Sequence, residues 1–154
     1  MRTEKEKEME RIKEATGATI RPEDFAYETA FYASDFGASP EKSAVENTKA
    51  INLAIKKASS CGGATVVISK GEYRTYTIEL ASHVHLHFEE GAVIRAARTD
   101  IKHSYVNQDG EGGNYLEPEI NRFAGLQDHG HSYFANSLFY GADLCDIMIS
   151  GDGL

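Results

Sequence analysis

The sequence predicts an all-β fold: the first coils of a right-handed single-stranded parallel β-helix, with one α-helix over the open end. Two observations carry this expectation. Between Thr65 and Arg95 very short extended runs alternate with turns, spaced too closely for the crossover helices of βαβ units. Directly before them lies one amphipathic helix, placed to cover what the first strands leave open. Spacing alone also fits an antiparallel meander. A coil of stacked parallel strands fits as well, each rung burying one face against the next.

The elements follow in order. Residues 3–15 are almost all charged, with Met9 and Ile12 the large apolar side chains. Glu4–Lys7, Glu8–Arg11 and Glu10–Lys13 fall at helical i,i+3 spacing, but the apolar stripe is too thin to dock firmly. Residues 1–24 therefore read as a charged segment, partly helical or disordered, that Gly17 and Pro22 separate from a β domain over 25–154. Phe31–Ala33 reads as extended, and Ser39-Pro40 as a turn.

The clearest helix spans about residues 44–59. Ser43 and Glu46 form a capping box. Ala50, Ile51, Ala54, Ile55 and Ala58 recur on one side. Lys56 and Lys57 complement the dipole of the last turns, and Gly62-Gly63 supplies the stop. Thr65–Ile68 is β-branched and apolar, Ser69-Lys70-Gly71 turns, and Glu72–Leu80 reads as one extended run with Ile78 and Leu80 on one face. His83–Phe88 alternates strictly: Val84, Leu86 and Phe88 on one side, His83, His85 and His87 on the other. Glu89-Glu90-Gly91 turns and Ala92–Arg95 is extended.

Residues 98–136 break this rhythm. A loop so long in a compact domain is functional or disordered. Its aromatics, Tyr105, Tyr115, Phe123, Tyr133 and Phe134, argue for an ordered insertion that packs on something. Strand rhythm returns at Ser137–Tyr140 and at Leu144–Ile149, where Cys145, Ile147 and Ile149 share a face.

Composition narrows the function classes. The chain of 154 residues is 41% hydrophobic and 26% charged, ordinary for a folded domain. A net charge of −8 argues against nucleic acid as the main partner, and a polyanionic ligand would need a locally positive cleft. Residues 1–16 lack the apolar core of a signal peptide, and no apolar run approaches the roughly 18 residues of a membrane span. The chain as it stands reads as soluble, without a membrane partner and cytoplasmic, while the compartment of a full-length protein stays unknown, with secretion or the periplasm left open. Cys61 at a helix end and Cys145 in a strand read as two separate thiols, one of them a small core residue. Without a CxxC spacing, neither a metal nor a cofactor is expected.

The residues also carry a likeness. Asp35-Phe36-Gly37-Ala38, the helix with Asn47-Thr48-Lys49-Ala50-Ile51, Gly62-Gly63-Ala64-Thr65-Val66-Val67, Gly71-Glu72-Tyr73 and Val84 to Ala92 resemble the N-terminal coils of the polygalacturonases. These form glycoside hydrolase family 28, within the pectin-lyase-like superfamily. Gln127-Asp128-His129-Gly130-His131, Asn136 to Gly141 and Ile149 to Leu154 resemble its bacterial branch. The likeness covers about residues 31–154. The family helix often begins with two Asp where this chain has Glu46-Asn47, a departure on what reads as a solvent-facing position.

The resemblance implies hydrolysis of galacturonate chains with inversion, by two carboxyls roughly 6.5–9.5 Å apart. It also implies an acidic plant cell-wall polysaccharide or oligogalacturonide as partner. The family's Asn-Thr-Asp, Asp-Asp and Gly-His-Gly motifs are absent here. Asn47-Thr48-Lys49, Gly151-Asp152-Gly153, His129-Gly130-His131 and the displaced Arg11-Ile12-Lys13 are lookalikes. No catalytic residue is carried over; the active site is expected beyond Leu154, with the C-terminal coils as partner and this chain inactive alone. The alternative is a non-catalytic β-helix module of the carbohydrate-binding or tailspike type.

Two groups remain as candidates for binding. His83, His85 and His87 on one strand face are a weak metal pattern without an added carboxylate or Cys. The loop group Arg122, Gln127, His129, His131 and Tyr133 suits a carboxylated sugar, the bases by charge and the ring by stacking.

Overall fold

The computed structural model describes residues 27–99, 110–117 and 136–153. The charged segment 1–24 and most of the insertion lie outside them. Strand β1 (Ala30–Tyr32) runs into a short 3-10 helix (Ala33–Phe36) and then helix α1 (Ala44–Ser60). Seven strands follow: β2 (Ala64–Ile68), β3 (Gly71–Thr75), β4 (Ile78–Glu79), β5 (Val84–Phe88), β6 (Ala92–Ala96), β7 (Phe139–Tyr140) and β8 (Ile147–Gly151).

These strands form three sheets, and every pairing is parallel. The first has the order β1-β2-β5-β8, the second pairs β3 with β6 and the third β4 with β7. From β2 onward the chain visits the sheets in rotation, so β2, β3, β4 and β5 each pair with the strand three further on, while β1 pairs directly with β2. An antiparallel meander is excluded for the described strands.

The register explains the core. Phe31, Val66, Leu86 and Ile149 are successive partners across the first sheet, as are Ala64, Val84 and Ile147. Val66, Leu86, Val84 and Ala64 are almost fully buried, and Tyr73 and Ile78 from the other sheets join them. The period-2 pattern at 84–88 therefore marks inside and outside as expected.

Helix α1 begins as the sequence predicts. Ser43 and Glu46 form a reciprocal capping box, and Ala50, Ile51, Ala54, Ile55 and Ala58 face the core. It packs against β2, β3 and β4, the first round of strands. Its polar side chains also satisfy backbone groups there. Thr48 Oγ1 accepts from Tyr76 N at 2.8 Å. Asn52 donates to the Thr77 carbonyl and accepts from Glu79 N, both at 3.0 Å. The helix thus stands in for a missing neighbouring strand.

Four local expectations are corrected. Glu72–Leu80 is two strands in different sheets, because the chain turns at Tyr76-Thr77, where the Tyr76 N–H is tied to α1. His83 lies outside β5, with φ of 62°. Cys145 precedes β8 and is exposed, not a core residue. Asn47 is fully buried instead of solvent-facing: its side chain accepts from Ser39 N at 2.9 Å and donates to the Lys42 carbonyl at 3.3 Å.

Candidate functional site

The outer face of the first sheet carries its polar chemistry. Thr65, His85 and Met148 are successive partners there, and so are Val67, His87 and Ser150. Ser150 Oγ lies 2.5 Å from His85 Nε2 and 2.9 Å from His87 Nδ1. A hydroxyl has one hydrogen, so at most one of the two imidazoles accepts from Ser150 and at least one donates to it. His85 Nδ1 reaches Thr65 Oγ1 at 3.4 Å, and the two rings meet edge to face with centroids 5.8 Å apart. Thr65, His85, Ser150 and His87 form a chain of hydrogen bonds, able to bind hydroxyl groups or relay a proton.

A second cluster sits at the N-terminal end of the same strands. Gly63, His83 and Asp146 occupy equivalent positions, each one residue before its strand. Gly63 has φ of +121°, and a Cβ there would come within 2.0 Å of the Tyr27 ring. That bare backbone lets the ring cross from the β1 side to Asp146, whose carboxylate accepts from the Tyr27 hydroxyl. Asp146 Oδ2 also lies 3.0 Å from His83 Nδ1, and His83 Nε2 lies 4.0 Å from Cys145 Sγ. The Tyr27 and His83 hydrogen bonds hold the Asp146 carboxyl below the usual range. Burial, then the neighbouring Asp146, pushes the Tyr27 phenol up to about 12.

The candidates from sequence divide sharply. Arg122, Gln127, His129, His131 and Tyr133 lie outside the described residues. Of the histidine row, His85 and His87 share the sheet face and a common serine, while His83 joins the separate cluster. Among the described residues, no group of three or more His, Cys, Asp and Glu side chains is placed to hold a metal ion. Sequence reasoning missed Tyr27, Thr65, Asp146 and Ser150. Aligning 84–88 with 147–151 would have opposed His87 to Ser150 and His83 to Asp146, but that register is visible only once the strands are known to be parallel.

The described part of the insertion is ordered by contacts. Tyr115 donates to the Ala97 carbonyl at 2.9 Å and packs edge to face on Tyr76. The Tyr76 hydroxyl donates to the Arg98 carbonyl and accepts from Gly113 N. Arg74 pairs with Glu111 at 3.0 Å. The insertion is therefore tied to the turn between β3 and β4, as Tyr115 in the sequence suggests.

No protein-family model matches the chain, and no curated protein matches it significantly. Among solved structures it is similar to the crystal structure of "a putative glycosyl hydrolase" from Parabacteroides merdae, at 23% identity and a TM-score of 0.55. The match covers 80% of this chain and 42% of that one, so the chain spans less than half of its neighbour's length. The likeness is one of fold, and among the described residues that fold is mainly β, with parallel sheets and one α-helix.

Proposed function

We propose that this chain forms the first coils of a right-handed single-stranded parallel β-helix, the N-terminal portion of a glycoside hydrolase of the polygalacturonase type. The observation that carries the proposal is the rotation of the strands through three parallel sheets. The fold likeness to a protein described as a glycosyl hydrolase, over 80% of the chain, adds to it. The motifs from Asp35 to Ala92 supply the pectin reading. The substrate is a galacturonate-containing polysaccharide, cleaved with inversion. Its two catalytic carboxyls are supplied by coils that follow this chain in the complete protein. What this chain gives is the start of the coil, its helical cap and, through Arg122, Gln127, His129, His131 and Tyr133, a loop that meets the carboxylated sugar.

The test compares the 154-residue chain with the complete gene product on polygalacturonate, following reducing ends and the anomer first released. The expected result is no turnover by the chain alone, and turnover with an inverted anomer by the complete product. Turnover by the pure chain, or a complete product inert on α-galacturonosides, overturns the proposal. In the complete product, Arg122→Ala and His131→Ala should each raise KM for oligogalacturonate roughly 10- to 150-fold with little change in kcat, since each removes a charge-assisted contact of about 1.5–3 kcal/mol.

A further inference from the structure

The cluster of Cys145, His83 and Asp146 has the order of an activated nucleophile: thiol, imidazole, carboxylate. The carboxylate sits 3.0 Å from His83 Nδ1 and the thiol 4.0 Å from Nε2. With Nδ1–H directed at Asp146, the Nε2 lone pair is the one that faces sulfur. We propose that Cys145 is a nucleophilic thiol site, with His83 as its base and Asp146 as the positioning residue, that exchanges with low-molecular-weight disulfides.

Three features support this assignment. First, the backbone holds both partners. Cys145 N donates to Ser82 Oγ at 3.2 Å, and His83 N donates to the Cys145 carbonyl at 3.1 Å. Second, the imidazole and the carboxylate stand on left-handed backbone, with φ of 62° at His83 and 55° at Asp146. Such positions in non-glycine residues concentrate at functional sites. Third, Cys145 is an exposed free thiol, open to an attacking reagent, as a reactive cysteine must be. Tyr27 fixes the far side of the carboxylate and keeps Asp146 in its charged form.

The exchange balances without a further reactant. The Cys145 thiol proton passes to His83 Nε2. The sulfur attacks one sulfur of the small disulfide, and a new S–S bond forms as the old one breaks. The departing sulfur leaves with the electron pair and takes the proton back from the imidazolium. Cys145 ends oxidised in a mixed disulfide, and the leaving half is a reduced thiol.

Cys61 is the internal control. It too is an exposed free thiol, but its Sγ donates to the Ala58 carbonyl at 3.1 Å. The experiment treats the full chain with oxidised glutathione, locates the adduct by mass spectrometry, and follows iodoacetamide alkylation of each thiol against pH. Asn tolerates left-handed backbone, so His83→Asn and Asp146→Asn remove the base and the positioning group at little conformational cost. The expected result is glutathione on Cys145 ahead of Cys61, with Cys145 alkylated about tenfold faster than Cys61 near pH 6.5. His83→Asn should remove that advantage. Asp146→Asn should reduce it about threefold and shift the alkylation profile to higher pH, because the tautomer is no longer held. Equal rates and superimposed pH profiles for the two native thiols overturn the proposal, and this comparison needs no variant to fold. An unchanged Cys145 rate in a folded His83→Asn chain also overturns it.

Discussion

At the scale of single residues, two buried polar side chains behave oppositely. Asn47 is fully buried with both ends of its amide bonded, to Ser39 N and to the Lys42 carbonyl. Asn47→Ala should therefore cost about 2–3 kcal/mol, since it strands a backbone donor and acceptor; a shift in the urea midpoint at constant slope checks it. Thr75 is also fully buried, but its hydroxyl has no partner among the described residues. Thr75→Val keeps the shape and removes an unpaid desolvation, so it should stabilise by about 1 kcal/mol in the same measurement. Residue type misleads at position 47. Asn reads as solvent-facing, yet three, four and seven residues on stand Ala50, Ile51 and Ala54, the buried stripe of α1. Spacing was the better guide, and the loop at 39–42 that folds over Asn47 has no periodic signal. Glu46 adds a pH dependence. The Ser43 hydroxyl, then Lys42, then the Ser43 amide pull its carboxyl from 4.5 down to about 2. A depressed acid stabilises the fold above its unfolded value and loses that contribution as pH falls through the folded one. The capping box should thus hold at full strength above about pH 5 and weaken between there and pH 2. Glu46→Gln should flatten this part of the stability–pH curve.

At the scale of elements, the helix and the strand faces were legible because periodicity fixes them: 3.6 along α1 and 2 along β5. What stayed hidden depends on the third dimension. Glu72–Leu80 looks continuous because Thr75, Tyr76 and Thr77 suit a strand, and only the bond from Tyr76 N to Thr48 shows that the chain turns there. The helix itself was expected over the open end, but the bonds it makes there are invisible in sequence, since Thr48 and Asn52 look like ordinary outward helix residues. Asn52→Ala removes the partners of the Thr77 carbonyl and the Glu79 N–H together. It should cost about 2 kcal/mol and speed amide exchange at Glu79, with β5 protection unchanged; equal protection at Glu79 would show that the helix does not cover that edge. The glycines separate close approach from backbone strain. Gly151 has φ of +119° and an added Cβ would meet the Phe88 carbonyl oxygen at 1.9 Å, whereas at Gly37, with φ of +101°, nothing lies within 4 Å. Gly37→Ala should cost only about 1–2 kcal/mol of left-handed strain. Gly151→Ala should cost more, and should detach β8 from β5, read as lost protection at Met148 and Ser150.

At the scale of the whole molecule, the candidate site was half legible. The histidine row was visible as an alternating pattern, but its partners come from positions 63 to 65 residues away and need the parallel register to be found. The same register explains how this chain should behave alone. Ile147 and Ile149 continue the inner rows of Val84 and Leu86, yet they are 37% and 48% exposed where their partners are almost fully buried. Beside them a cleft of about 340 Å³ is lined by Phe88, Ile94, Leu138, Phe139 and Gly153. Among the described strands β8 has one neighbour, so its other edge presents unpaired backbone groups next to apolar side chains, the combination that templates strand addition. A net charge of −8 opposes close approach of two copies, but that repulsion is screened over about 8 Å at physiological salt, while edge pairing and burial are not. The isolated chain should therefore self-associate, more strongly as salt rises, giving a weight-average mass that grows with concentration in sedimentation equilibrium. The double variant Ile147→Lys, Ile149→Lys places two charges on the face that must be buried and should hold the chain monomeric with β2 and β5 intact. A wild-type chain that stays monomeric at high salt would mean that the exposed row is covered from within the same chain.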